Sequence, residues 1–251
     1  MSARDNIYSV PLTTVGDFQF DSDVVRVFPD MIARSVPGYA SILSVIEQLA
    51  VQYVRPGSDV WDLGCSLGAA TRLIRRRCDA TVTVHAVDNS AAMIQRLQQL
   101  LVDWEPGAPV IVTEADLRDV HITNASLVVL NLTLQFLPPA ERDTVIGRIA
   151  AGMLPGGALL LSEKICFEDP RQQELMTTLH HDFKRAHGYT DLEIAQKRSA
   201  IENMLIPEPL QRHVQRLTDA GFSAVIPWFQ CFNLDRKSTR LNSSHLPLSR
   251  M

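Results

Sequence analysis

Nine residues, Val60-Trp61-Asp62-Leu63-Gly64-Cys65-Ser66-Leu67-Gly68, constrain this chain more than any others. An apolar run ends in a turn of small residues bounded by two glycines, and Ala69-Ala70-Thr71-Arg72-Leu73-Ile74 continues with helical character. Strand, small-residue turn and helix in that order place a turn at the carboxyl end of a sheet's first strand, where α/β proteins hold nucleotide-like ligands. Only Gly64 and Gly68 stand four apart, so the spacing differs from the G-x-G-x-x-G of dinucleotide enzymes. It favours an adenosyl ligand without a pyrophosphate, and S-adenosylmethionine is the main expectation.

The pattern around this stretch extends it into a doubly wound, mostly parallel α/β sheet. Strands are predicted at 58–63, 80–87, 110–114, 125–130 and 158–162, with helices at 69–77, after the capping residue Ser90, and at 139–153. Residues 125–130 are almost wholly apolar, as in a strand buried on both faces. Residues 1–30 read as an irregular arm packed through Phe18, Phe20, Val24, Val25, Val27 and Phe28. Pro29 and Pro37 bracket a short helix, and a second helix ends near Tyr53. A helical insertion at about 163–209 follows strand five, with helices at 168–188 and 191–203; Leu175, Leu179, His180 and Phe183 recur along the first. A helix at 210–220 closes at Gly221, and 222–232 reads as a strand whose Pro227 demands a bulge or an edge position.

Residues 1–233 thus read as a single domain and 234–251 as an aberrant polar tail, basic and aperiodic. With that tail, the fold's last strand is expected to be missing or replaced. The abrupt change has the look of a truncated gene end or foreign appended sequence.

Composition narrows the function classes. A 251-residue chain that is 46% hydrophobic builds one large core, and a net charge of -4 gives no global reason to bind nucleic acid. The four cysteines show neither disulfide nor metal spacing, residues 1–8 are not a signal peptide, and no apolar run reaches membrane-spanning length. A cytoplasmic protein without a metal or a membrane partner is expected.

Several residues have a ligand-binding reading beside a plainer one. Asp88 ends strand two, where a carboxylate accepts from ribose hydroxyls; Asn89 follows it and is equally suited to capping a helix. Asp116 ends strand three, where it meets an adenine amine or forms an Asx turn, with Leu117 as an apolar wall. Asn131 ends the buried fourth strand and needs partners or a cavity. Ser66 adds a polar contact in the turn, Cys65 reads as packing, and Tyr39 reads equally as core.

More specific stretches lie elsewhere: Val27-Phe28-Pro29-Asp30-Met31-Ile32, Arg34-Ser35-Val36-Pro37-Gly38-Tyr39, Leu134-Gln135-Phe136-Leu137, His180-His181-Asp182-Phe183-Lys184-Arg185-Ala186, Gln196-Lys197-Arg198-Ser199 and Trp228-Phe229-Gln230-Cys231-Phe232-Asn233. With the glycine turn, these make the chain resemble the carboxy-S-adenosyl-L-methionine synthase family, bacterial enzymes of the class I methyltransferase (Rossmann-like) fold. The resemblance implies a synthase that takes S-adenosylmethionine and prephenate to carboxy-S-adenosylmethionine and phenylpyruvate. Its product serves a partner enzyme that carboxymethylates a wobble uridine of transfer RNA. It implies a ligand site of Tyr39, Gly64, Cys65, Ser66, Asp88, Asn89, Asp116, Leu117 and Asn131. Arg198 then meets the added carboxylate, reaching it from the neighbouring subunit of a homodimer; a guanidinium suits that anion by charge and bidentate geometry.

In the mechanism the resemblance implies, the sulfonium acidifies its methyl group and the resulting ylide captures carbon dioxide released as prephenate aromatises. The departing hydroxide takes the proton, so no protein general base is assigned. Two other readings stay open: a methyltransferase acting on RNA or a small molecule, and a noncatalytic adapter of a tRNA-modification enzyme.

Overall fold

The structure, a computed structural model, describes residues 3–241, with side chains through residue 234. Two helices, α1 (Ser22–Ser35) and α2 (Tyr39–Tyr53), precede the sheet. Strands β1 (Asp59–Leu63), β2 (Thr83–Asp88), β3 (Val110–Glu114), β4 (Ala125–Asn131) and β5 (Met153–Cys166) are parallel, linked in part by α3 (Ala69–Arg75), α4 (Ala91–Leu101) and α5 (Pro139–Gly152). After β5 come α6 (Pro170–Ala186), α7 (Asp191–Ile201), the two-residue β6 (Glu208–Pro209), α8 (Leu210–Asp219), β7 (Phe222–Cys231) and β8 (Leu234–Leu241). The strand order is β3-β2-β1-β4-β5-β8-β7, with β6 on β5.

Alternation along the central strands separates two cores, because successive side chains point to opposite sheet faces. Trp61, Leu63, Val128, Leu130, Leu159 and Leu161 pack with Val145, Ile146 and Ile149 of α5 and Leu217 of α8. Val60, Leu127, Val129, Ala158 and Leu160 pack on the other side with Ile42 and Ile46 of α2 and Ile74 of α3. Truncating one such leucine to alanine costs about 2–5 kcal/mol.

Two expectations need correction. Residues 22–29 are not an irregular arm: α1 begins at Ser22, Asp21 accepts from the amides of Asp23 and Val24 as its cap, and Pro29 lies inside the helix. Burial of Val24, Val27 and Met31 on one helix face offsets the hydrogen bond that proline removes. Residues 234–241 are not an aperiodic tail: they form β8, which pairs antiparallel with both β5 and β7 and supplies the last strand that was expected to be missing or replaced. Backbone donors and acceptors are independent of side chain, and two open strand edges satisfy them on both sides. Residues 242–251 of the expected tail lie outside those described. Pro227 meets both of its conditions, since β7 ends the strand order and its register shifts between Pro227 and Phe229.

Candidate active site

The carboxyl end of β1 opens into a cavity of about 430 Å³, within the usual range for small-molecule sites. Its floor is the glycine turn. The Gly64 and Cys65 amides donate to Val87 O at 2.8 and 3.0 Å, pinning the turn to β2. Gly64 has φ +77°, and a Cβ there would lie 2.4 Å from Thr133 Oγ1, so only glycine fits. Buried Asp62 accepts from Thr71 N at 3.0 Å and Thr71 Oγ1 at 2.5 Å, tying β1 to α3. Burial raises its carboxyl to about 6, against the opposing effect of those hydrogen bonds. Burial also pushes the Cys65 thiol well up, with Asp62 and Asp88 adding to it, which fits packing and not nucleophilic chemistry.

Of the residues expected at the ligand site, Tyr39, Gly64, Cys65, Ser66, Asn131 and Arg198 line this cavity. Tyr39 opens α2. Asn131 ends β4, and its Oδ1 is buried without a hydrogen-bond partner among the described residues, as is the Oδ1 of Asn233 in the same cavity wall. Asp88, Asn89, Asp116 and Leu117 do not line it. Asp88 braces the turn, accepting from Ser66 N at 2.8 Å and Ser90 N at 2.9 Å. Asp116 accepts from the Arg118 guanidinium, which also reaches Glu141 at 2.8 Å. The strand order nevertheless sets Asn131, Gly64, Asp88 and the residues after β3 at the carboxyl ends of neighbouring strands, so both acids lie on the same side of the sheet as the cavity.

Helices roof the cavity. From α1 come Phe28, Met31, Ile32 and Ser35; from α7 come Lys197, Arg198 and Ile201. The side chain of Arg198 is 63% exposed, with a 3.8 Å pair to Glu202, and it also lines a shallower cleft outside. A capping box between Thr190 and Glu193 starts α7. Gln196 clamps the N-terminal arm to it, accepting from Leu12 N at 2.7 Å and donating to the carbonyls of Tyr8 and Val10 at 3.0 and 2.9 Å. Tyr189 Oη donates to Asp5 at 2.5 Å, and Lys197 lies 3.6 Å from the same carboxylate.

One face of α6 also enters the site, through Gln173, Thr177, His180, His181 and Lys184, opposite Lys164 of β5. From the sequence His180 stands out only as a recurring helix position, His181 and Lys184 only within a longer stretch, and Gln173, Thr177 and Lys164 not at all, although the spacing of 173, 177, 180 and 184 marks one polar helix face. Leu175, expected on the packing side, is 54% exposed. His180 contacts the Ser35 carbonyl at 2.9 Å, so Nε2 carries the proton, and burial holds its pKa down at about 3. Burial lowers Lys184 to about 7, helped by Lys197, Lys164 and Arg198; it lowers Lys197 to about 8 despite Asp5. Lys164 shifts down for the same first reason, with Arg198 second. Among the described residues no cluster of His, Cys, Asp and Glu is set to hold a metal ion, and no helix is long and apolar enough to cross a membrane.

Residues 60–157 match the family described as a methyltransferase domain. The chain is 53% identical over 234 residues to the carboxy-S-adenosyl-L-methionine synthase of Aliivibrio fischeri, covering 93% of this chain and 97% of that protein. It is 52% identical to the synthase of the same name from Photobacterium profundum, covering 93% and 96%. Among solved structures, the magnesium protoporphyrin IX methyltransferase of Synechocystis aligns with a TM-score of 0.57 at 18% identity, over 90% of both chains. Human N-acetylserotonin methyltransferase aligns with a TM-score of 0.59 at 16% identity, over 88% of this chain and 56% of that one. At such identities the structural likeness concerns the fold alone.

Proposed function

Because the chain belongs to the carboxy-S-adenosyl-L-methionine synthase family, we propose that it converts S-adenosylmethionine and prephenate to carboxy-S-adenosylmethionine and phenylpyruvate. The observation that carries this reading is that Arg198 lines the same cavity as the glycine turn. Carboxylate recognition and adenosyl binding then share one chamber. The unpartnered Oδ1 of Asn131 suits the ammonium of the substrate's amino-acid part. We assign Asp88 to the ribose, since a carboxylate that accepts from Ser66 N and Ser90 N keeps further lone pairs for hydroxyls, and Asp116 with Leu117 to the adenine. Ser66, Cys65 and Tyr39 complete the cavity wall, and Asn89 is assigned to the ligand beside Asp88, beyond that wall.

S-adenosylmethionine brings a sulfonium-activated methyl group, and prephenate brings both the carboxyl carbon and the ring hydroxide that accepts the methyl proton. Water, phenylpyruvate and the carboxylated sulfonium balance the atoms and charge. The protein contributes enclosure and charge placement, with no general base required of it. We assign Arg198 to the new carboxylate in the cavity it lines; its exposure and its place on the outer cleft also leave it accessible to the site of a neighbouring subunit in a homodimer. A cytoplasmic setting, supply of a tRNA carboxymethyltransferase, and no direct contact with nucleic acid or membrane belong to the same proposal.

Incubation with both substrates followed by mass spectrometry tests it. Carboxy-S-adenosylmethionine is the expected product. S-adenosylhomocysteine formed with an RNA or small-molecule acceptor, without carboxylated product, would identify a methyltransferase instead. Partner binding without turnover of either kind would identify an adapter.

A further inference from the structure

We propose that Lys164 and Lys184 form the receptor for the two carboxylates of the cosubstrate, a role separate from that of Arg198. The proposal rests on the reading that the cosubstrate is the dicarboxylate prephenate.

The cavity wall carries Lys164, Lys184, Lys197 and Arg198 against one carboxylate, Asp62, which is already engaged by Thr71. Lys197 has Asp5 beside it and Arg198 has Glu202. Among the described residues, no carboxylate lies within ion-pair distance of Lys164 or Lys184. This is not how the molecule treats its other enclosed cations. Arg142 pairs with Glu208 at 2.6 Å, and Arg216 pairs with Glu208 at 2.9 Å and Asp143 at 2.7 Å. Two ammonium groups with no described carboxylate beside them, on the wall of one partly enclosed cavity, are costly, and an anion entering that cavity removes the cost.

The sulfonium substrate adds a further positive charge to the same chamber. A dianion bearing two separate carboxylates matches the two lysines and offsets the sulfonium; a neutral acceptor does neither. Lys164 stands on β5, directly after Glu163, whose carboxylate holds the amides of Leu134 and Gln135 at 2.9 Å each, so its strand is fixed from behind. Lys184 ends the polar face of α6 begun by Gln173 and Thr177. The titratable groups that share the cavity wall with Lys184 include Lys164 from β5, His180 and His181 from α6, Lys197 and Arg198 from α7, and Asp62 from β1. Burial first, then Lys197, Lys164 and Arg198, disfavour its charged form, so the ligand-free site binds the dianion with uptake of a proton.

The test uses the full chain with Lys164→Gln, Lys184→Gln and Lys184→Arg. The proposal expects each glutamine variant to raise KM for prephenate about tenfold or more, with Kd for S-adenosylmethionine nearly unchanged and a melting temperature no lower than that of the wild type. Wild-type KM rises between about pH 6.5 and 8.5, and Lys184→Arg keeps a low KM while flattening that profile, because a guanidinium stays charged. Unchanged KM in both glutamine variants, or an equal loss of S-adenosylmethionine binding, would overturn the assignment. If the wild type yields no carboxylated product, the functional reading fails by itself, and calorimetry with prephenate decides the receptor. Heat lost in the glutamine variants supports it; equal binding, or none to the wild type, overturns it.

Discussion

At the scale of single residues, backbone and charge make different demands. Gly64→Ala forces a side chain into both a positive φ and Thr133, so it should cost about 1–3 kcal/mol of stability and weaken S-adenosylmethionine binding, read by thermal melting and calorimetry. Arg198→Ala behaves otherwise. The guanidinium is exposed, so the melting temperature and S-adenosylmethionine affinity stay near wild type while carboxylated product formation falls about 10–100-fold, the loss of one charged hydrogen-bonding partner. Equal losses in binding and turnover would contradict a carboxylate-specific role. The difference in how these residues were found is physical. Gly64 was legible because a strand running into small residues has few conformational solutions. Asn131 was legible because a polar residue after a buried strand needs a partner. Lys164, Lys184 and His180 were not, because a charged residue on a helix or at a strand end has the same sequence signature whether it meets solvent or a cavity.

Among the elements, α7 and the N-terminal arm act as a unit. Gln196 spends its whole amide on three arm backbone groups, and Asp5 joins the arm to Tyr189 and Lys197. Gln196→Ala should release residues 5–12 and loosen the helix bearing Arg198. The expected result is faster amide exchange in both segments and lower turnover, with exchange in β1 and β4 unchanged. The parallel strands followed from their apolar alternation, and the last helix from its glycine stop. The start of α1 was missed because Pro29 reads as a breaker, whereas the Asp21 cap and the buried face of Val24, Val27 and Met31 outweigh it.

Across the whole molecule, charge burial and the sheet's far side decide stability. Lys184 and Lys197 have folded pKa values of about 7 and 8, below the ordinary 10.5 of an exposed lysine. Between about pH 7 and 9 the unfolded chain therefore binds more protons than the native one, so ligand-free stability rises with pH. Above that range the raised thiols of Cys65 and Cys78 act in the opposite direction. Melting temperatures across this range check the sign, and Lys184→Met should reduce the slope. On the far side, β8 is polar in sequence beside apolar β5. Ser238→Val with Thr239→Val, opposite Leu160 and Leu159 in register, should raise the melting temperature by roughly 2–4 °C per kcal/mol gained. Its pairing was not legible, since a polar run without alternation carries no strand signal, and of the two edges that hold it only β7 is a neighbour in sequence while β5 lies far back in the chain.

The central claim is that this chamber moves a carboxyl group from prephenate onto the methyl carbon of S-adenosylmethionine. The most direct measurement supplies prephenate isotopically labelled in its ring carboxyl and follows the label by mass spectrometry. Label retained in carboxy-S-adenosylmethionine, with unlabelled phenylpyruvate formed alongside it, is the predicted result. Label lost entirely to free carbon dioxide, with S-adenosylmethionine recovered unchanged, would contradict it.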